Sequence, residues 1–274
     1  MSVSAYVVVF FVAAYFGWLF ESTYSILHSG KWERRGFLYG PYCPIYGVGV
    51  VVWLLLFNRP EVASGEFPAW MVFFVSMCSS AVLEYSVSVI LERQFGAVWW
   101  DYSDFPLNVN GRICLPASLL FGAGGLFVTY IVAPMVNGLY PLFPSAVLEL
   151  LALINVALMA ADTTATVVSL SDLMDKIEQL DRSANEHAEE KVQQISDAVQ
   201  QRTQGVRQGV GKAVTHQQIM VNGIANRITA HQALLLGRIR RFRTDDLRDR
   251  ANALRLLLSE RPENRHPEGD RNAS

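Results

Sequence analysis

Five long apolar stretches, near residues 4–27, 44–57, 68–91, 114–134 and 145–168, dominate the first part of this chain. A helix that crosses the hydrocarbon core of a bilayer takes about 20 mostly apolar residues. Inside lipid the backbone must satisfy its own hydrogen bonds, and a helix does so within one segment. The pattern therefore predicts an all-α, polytopic membrane bundle of about five spans. The second stretch is the shortest, clean only from Ile45 to Phe57, so its helix must begin inside the segment Gly40-Pro41-Tyr42-Cys43-Pro44 or sit in a thin region. Pro68, Pro116 and Pro144 lie near span starts, where a missing N–H is tolerated. No basic residue precedes the first run, so residues 4–27 are expected to be a retained span rather than a signal peptide.

Charge divides the chain. The first 168 residues hold six basic side chains, Lys31, Arg34, Arg35, Arg59, Arg93 and Arg112, and all the others lie from Lys176 onward. The near-neutral net charge of −2 thus averages an apolar half with a polar one. The connections after the first and third stretches carry Lys31, Arg34, Arg35, Arg93 and Arg112, whereas the others carry Arg59 or nothing. Cytoplasmic loops are enriched in Lys and Arg. The expected placement is a cell membrane protein with its N-terminus outside and its tail in the cytoplasm. We divide the chain into a bundle at 1–168, a helical tail at 169–260 and a disordered end at 261–274, which is rich in Pro, Asn and charge.

A motif occurs twice in the bundle. The first copy runs Gly17-Trp18-Leu19-Phe20-Glu21, Ser25, Arg34-Arg35-Gly36-Phe37 and Gly40-Pro41-Tyr42-Cys43-Pro44. The second runs Glu84, Ser88, Trp100-Asp101-Tyr102 and Gly111-Arg112-Ile113-Cys114-Leu115-Pro116. Each copy has one carboxylate in a span, a following Arg-bearing loop, and Gly-x-x-Cys at the mouth of the next apolar run. The copies have the same topology, which predicts parallel repeats about an axis along the membrane normal. A charge in hydrocarbon is costly and marks function by default. Glu21 and Glu84 are expected at similar depth in the cytoplasmic third of their spans, with Arg34, Arg35 and Arg112 beside them. That set would bind a charged substrate or relay protons; paired ion bridges that pin loops against the bundle would use the same residues.

The loop from Arg35 to Gly47 contains Gly36, Gly40, Gly47, Pro41, Pro44, Tyr39, Tyr42 and Tyr46. It disfavours regular helix, so it is expected to enter the bundle from inside; Tyr39 and Tyr46 join the candidate substrate site. Asp101 and Asn108 complete that set, although tying a turn is the commoner use of such residues. Glu149, Asn155 and Asp162 in the fifth stretch are expected to hydrogen-bond between helices. Cys43, Cys78 and Cys114 are too few and scattered for a disulfide framework or metal site, and Cys43 and Cys114 suit small packing positions at helix starts.

From 170 to about 258 apolar residues recur at threes and fours, from Leu173 and Ile177 to Ile239 and Phe242, with a mean step nearer 3.6 than 3.5. One long amphipathic helix and at most a weak coiled coil follow. Gly205, Gly209, Gly211 and Gly223 are expected to interrupt it. Gly209-Val210-Gly211-Lys212 is not a phosphate loop, because Val206 replaces the first glycine and Ala213 follows the lysine. Zinc and serine hydrolase motifs are absent as well, so neither an enzyme nor a cofactor is expected. Arg238-Ile239-Arg240-Arg241-Phe242-Arg243 suits an exposed helix face or anionic lipid better than nucleic acid.

Three groups of residues together resemble the bacterial putative ABC-transporter type IV, or CmpB-type permease, family. They are Gly17-Trp18-x-x-Glu21, the run Arg35-Gly36-Phe37-Leu38-Tyr39-Gly40-Pro41-x-Cys43-Pro44-Ile45-Tyr46-Gly47, and Glu84 with Trp100-Asp101-Tyr102-Ser103, Pro106-x-Asn108 and Gly111-Arg112-Ile113-Cys114-Leu115. The resemblance covers roughly residues 10–130 and leaves out the tail. It implies a transport permease, with any ATPase on a separate chain. Members often carry Asn-Arg-Gly-Phe where this chain has Arg34-Arg35-Gly36-Phe37. Five short spans make a small path, so a homo-oligomer is expected. The alternatives are a membrane scaffold or sensor working through its tail, and a lipid-directed enzyme for which no nucleophile is evident.

Overall fold

The computed structural model describes residues 1–29, 36–63, 67–200 and 221–259. The chain is mostly helical, at 78%. It divides into two compact units, one of Met1–Gln94 with Val98–Val167, the other of Phe95–Ala97 with Val168–Ser274.

In the first unit, helices α1 (Val3–Ser29), α2 (Pro44–Phe57), the single turn α3 (Pro60–Ala63), α4 (Ala69–Phe95), α5 (Leu115–Phe127) and α6 (Ala133–Leu139) follow in order, and helix α7 (Ser145–Gln200) begins. Four helical stretches are long and apolar enough to cross a membrane: Val3–Ile26, Ala69–Phe95, Leu115–Leu142 and Ser145–Leu180. At 14 residues α2 is shorter, about 21 Å at 1.5 Å per residue. Its start at Pro44 matches the position set by the preceding Gly- and Pro-rich segment. Large apolar side chains face outward, including Val82, Ile90, Leu120 and Leu153. That surface is what a chain solvated by hydrocarbon requires.

Close helix approach depends on small residues. α1 and α2 pack along each other. A Cβ on Gly17 would lie 2.3 Å from the Tyr46 ring, and one on Gly47 would lie 2.7 Å from the Phe10 carbonyl oxygen. On α5, Gly122 meets the Phe73 ring and Gly125 meets Ser76 in the same way. Small residues at such contacts let helices approach where lipid supplies no hydrophobic drive. Trp53, Leu54, Phe57, Val62, Val72, Val128 and Ala133 form a core cluster. α5 passes into α6 through a π-helical turn, Val128–Val132. There the Ala133 amide donates to the Val128 carbonyl, and Pro134 follows directly. The widened turn accommodates a proline that has no N–H to give.

The second unit contains the later part of α7, a helical turn at 221–225, helix α8 (Ala230–Arg238), strand β2 (Arg241–Phe242) and helix α9 (Asp245–Ser259). Strand β1 (Ala97–Val98) pairs with β2 in a two-stranded sheet, and the Arg243 amide donates to the Gly96 carbonyl. α7 is one helix of 56 residues through Gln200. Beyond it the described tail departs from the single helix expected over 170–258. Thr229 and Gln232 form a reciprocal capping box that starts α8 afresh, and the chain is extended by Ile239. Of the apolar positions read as a seam, Leu173, Ile177, Leu180, Val221, Ile228, Leu235, Ile239 and Phe242 are buried within the unit. The residues Val206, Val210 and Val214 of the expected seam, the glycines 205, 209 and 211, and the expected disordered end 261–274 lie outside the described residues, as do Lys31, Arg34 and Arg35. Gly223 lies inside the helical turn at 221–225.

Candidate functional site

Each repeated glutamate is bound by a tyrosine that follows it in the chain. On α1, Glu21 Oε1 accepts a 2.6 Å hydrogen bond from the Tyr46 hydroxyl. On α4, Glu84 Oε1 accepts one of 3.2 Å from the Tyr102 hydroxyl. The two carboxylates are close enough for the charge of Glu21 to act on Glu84 and on Tyr102. Glu84 is 5% exposed, and its second oxygen, Oε2, is buried with no hydrogen-bond partner. Burial raises the Tyr102 phenol well above its ordinary value; Glu84 and then Glu21 push it the same way. The hydroxyl thus stays protonated and remains a donor.

The serine four residues after each glutamate shares a helix face with it. Ser25 is fully buried and donates to the Ser22 carbonyl. Ser88 is 2% exposed, and its hydroxyl, like that of Ser22, has no hydrogen-bond partner. Cys43 and Cys114 are free, buried thiols, and each occupies the N-cap of the next helix, α2 and α5, ahead of a proline in the first turn. This is the small packing position expected at the helix starts.

The loop before α2 enters the bundle. The Cys43 amide donates to the Ala14 carbonyl of α1 at 2.9 Å. On α7, Asp162 takes two consecutive amides of the loop: Oδ1 accepts from Tyr39 at 3.2 Å and Oδ2 from Gly40 at 2.9 Å. Thr166, one turn on, accepts from Tyr39 too. Asp162 therefore ties α7 to the loop rather than to another helix. Asn155 does otherwise, donating back to Leu151 of its own helix. Gly36 has φ of +105°, a conformation that requires glycine here.

The second loop is held by its own polar residues. Asp101 Oδ1 accepts from the amide and hydroxyl of Ser103. Asn108 donates to the carbonyls of Ser103 and Phe105 and accepts from the Gly111 amide. Asn110 and Gly111 both have positive φ, which Asn and Gly tolerate best. Asp101 and Asn108, expected in the substrate set, are thereby occupied in shaping the turn that presents Tyr102. Tyr39 contributes its backbone amide to Asp162.

Arg112 has a different partner from the repeated glutamates. Its guanidinium forms an ion pair with Glu92, not with Glu84, and stacks 5.3 Å from the centre of the Tyr85 ring. Glu92 lies eight residues after Glu84, two turns nearer the end of α4 and the mouth of the loop. The arginine reaches that end and no deeper. Arg35, placed in the same set from sequence, lies outside the described residues. Glu92 and Tyr102 were missed, although the i, i+8 spacing of the glutamates on one helix was a readable signal.

The model of one protein family matches residues 8–167, more than half of the chain, and its description is putative ABC-transporter type IV. The chain belongs to that family. The match to this ABC-transporter type IV model spans both copies of the motif and the part of α7 that carries Asp162. The chain matches none of the curated proteins and none of the solved structures.

Proposed function

We propose that this chain is a membrane permease subunit whose substrate site is centred on Glu21 and Glu84. The observation that carries the reading is the pair of phenol-bound carboxylates within electrostatic reach of one another on helices apolar enough to span a bilayer. The family name supports transport as the class of activity. In this reading all five apolar helices cross the membrane as two parallel repeats plus α7, the N-terminus is outside and the tail cytoplasmic. A dimer supplies a path wide enough for substrate, and any ATP hydrolysis occurs on a separate ATPase chain. The chain itself performs no enzymatic reaction. Glu21→Gln, Glu84→Gln and the double variant should reach the membrane in normal amounts and fail to rescue growth of a strain that depends on the protein. Full rescue by the double variant overturns the proposal.

A second reading is a scaffold or sensor that works through its tail. The buried Gln232 favours it. Its side chain is bonded to Asp172, Lys176 and the Ser169 carbonyl, which gives the tail a fold of its own. Deleting 221–274 abolishes function in that case and the glutamate changes do little.

A further inference from the structure

We propose that the glutamate site binds a small alkali-metal cation, held by Glu84 Oε2 together with the Ser88 hydroxyl oxygen one helical turn away. The inference deepens the permease reading of this site and, as a statement about transport, rests on it. Glu21 and Glu84 are both bonded to phenols, and neither forms an ion pair among the described residues. Two carboxylates in mutual reach inside an apolar bundle need a positive charge between them. Arg112 is held by Glu92 and the Tyr85 ring. An anionic substrate would meet repulsion here, so the occupant is a cation.

The atoms left over indicate its kind. Glu84 Oε2, Ser88 Oγ and Ser22 Oγ are buried without hydrogen-bond partners. Ser88 stands one helical turn from Glu84 on the same face. Buried polar atoms of this type are almost always satisfied. All three are hard oxygens, which suit alkali and alkaline-earth ions rather than soft metals. Among the described residues no group of three His, Cys, Asp or Glu side chains is placed to hold a metal ion. The free donors are one carboxylate oxygen and neutral hydroxyls, whereas divalent ions draw on several carboxylates or waters. A monovalent ion follows.

The test is thermal unfolding of the full-length protein in detergent, at fixed pH and ionic strength, in lithium, sodium, potassium or choline chloride. At least one alkali ion should raise the melting temperature saturably above choline, because a ligand that binds only the folded state stabilises it. Ser88→Ala and Glu84→Gln should each weaken the apparent affinity tenfold or more. Glu92→Gln should leave it unchanged. Ser88→Ala removes one oxygen only, so it decides the matter if Glu84→Gln does not fold. Equal curves in choline and alkali salts, a response that follows pH alone, or undiminished ion binding by Ser88→Ala and Glu84→Gln would each overturn the proposal. If ion binding is absent while Glu21→Gln and Glu84→Gln still abolish rescue, the permease reading stands and the cation falls. If the ion binds but those variants rescue fully, the reverse holds.

Discussion

Glu84 and Glu92 stand two turns apart on α4, yet their partners differ in kind: a phenol for the deeper residue, a guanidinium for the one near the helix end. Arg112 and Glu92 are each 18% exposed, so their attraction is only partly screened. A double-mutant cycle with Arg112→Gln and Glu92→Gln should give a coupling of about 1 kcal/mol, while the cycle of Arg112 with Glu84 should give less than about 0.5 kcal/mol. The reverse order, measured by thermal or denaturant unfolding in detergent, would mean that the arginine belongs to the inner site. Asn108 makes three hydrogen bonds within its loop. Asn108→Ala should lower stability by roughly 1–3 kcal/mol and reduce growth rescue only as far as it displaces Tyr102. The carboxylates were legible in sequence because charge stands out in an apolar run. Their partners were not. A tyrosine reads equally well as an interface ring or as a hydrogen-bond donor, and only the folded loop shows that Tyr102 reaches Glu84.

At the scale of elements, the packing of α1 on α2 sets two glycines of α2 apart. Gly47 abuts the Phe10 backbone, whereas Gly49, two residues on, has nothing within 4 Å of a built Cβ. Gly47→Ala should destabilise the protein by about 1–3 kcal/mol through overpacking. Gly49→Ala should be neutral or slightly stabilising, since alanine favours helix. Melting curves of the two variants side by side check this, and equal shifts would contradict the described interface. Sequence periodicity placed the start of α2 and the entry of its loop, because proline and glycine act locally. It did not reveal how the end of the tail folds. The 3.6-residue pattern continues through Thr229 and Ile239, but a capping box and a short strand depend on local hydrogen bonds that an apolar count does not register.

For the molecule as a whole, the apolar face of α7 at Leu170, Leu173 and Ile177 is fully buried within the unit that contains the tail helices. Removing residues 221–274 should uncover it. The truncated protein is expected to form larger species than the full chain when both are measured by light scattering in the same detergent; an unchanged size would show that this face needs no cover. The general plan of apolar helices was readable because hydrocarbon imposes it on composition. The boundary between units inside α7 was not, since a single helix runs through it. The π-helical turn at Val128–Val132 has its own corollary for length variation along the fourth long apolar stretch of the sequence. A wide turn is an α-helix that has absorbed one additional residue. Relatives that lack a residue there would straighten into uniform helix with both halves still in phase. The same loss at Leu119 would swing one half against the other by about 100°, so natural deletions in this span should cluster at the wide turn.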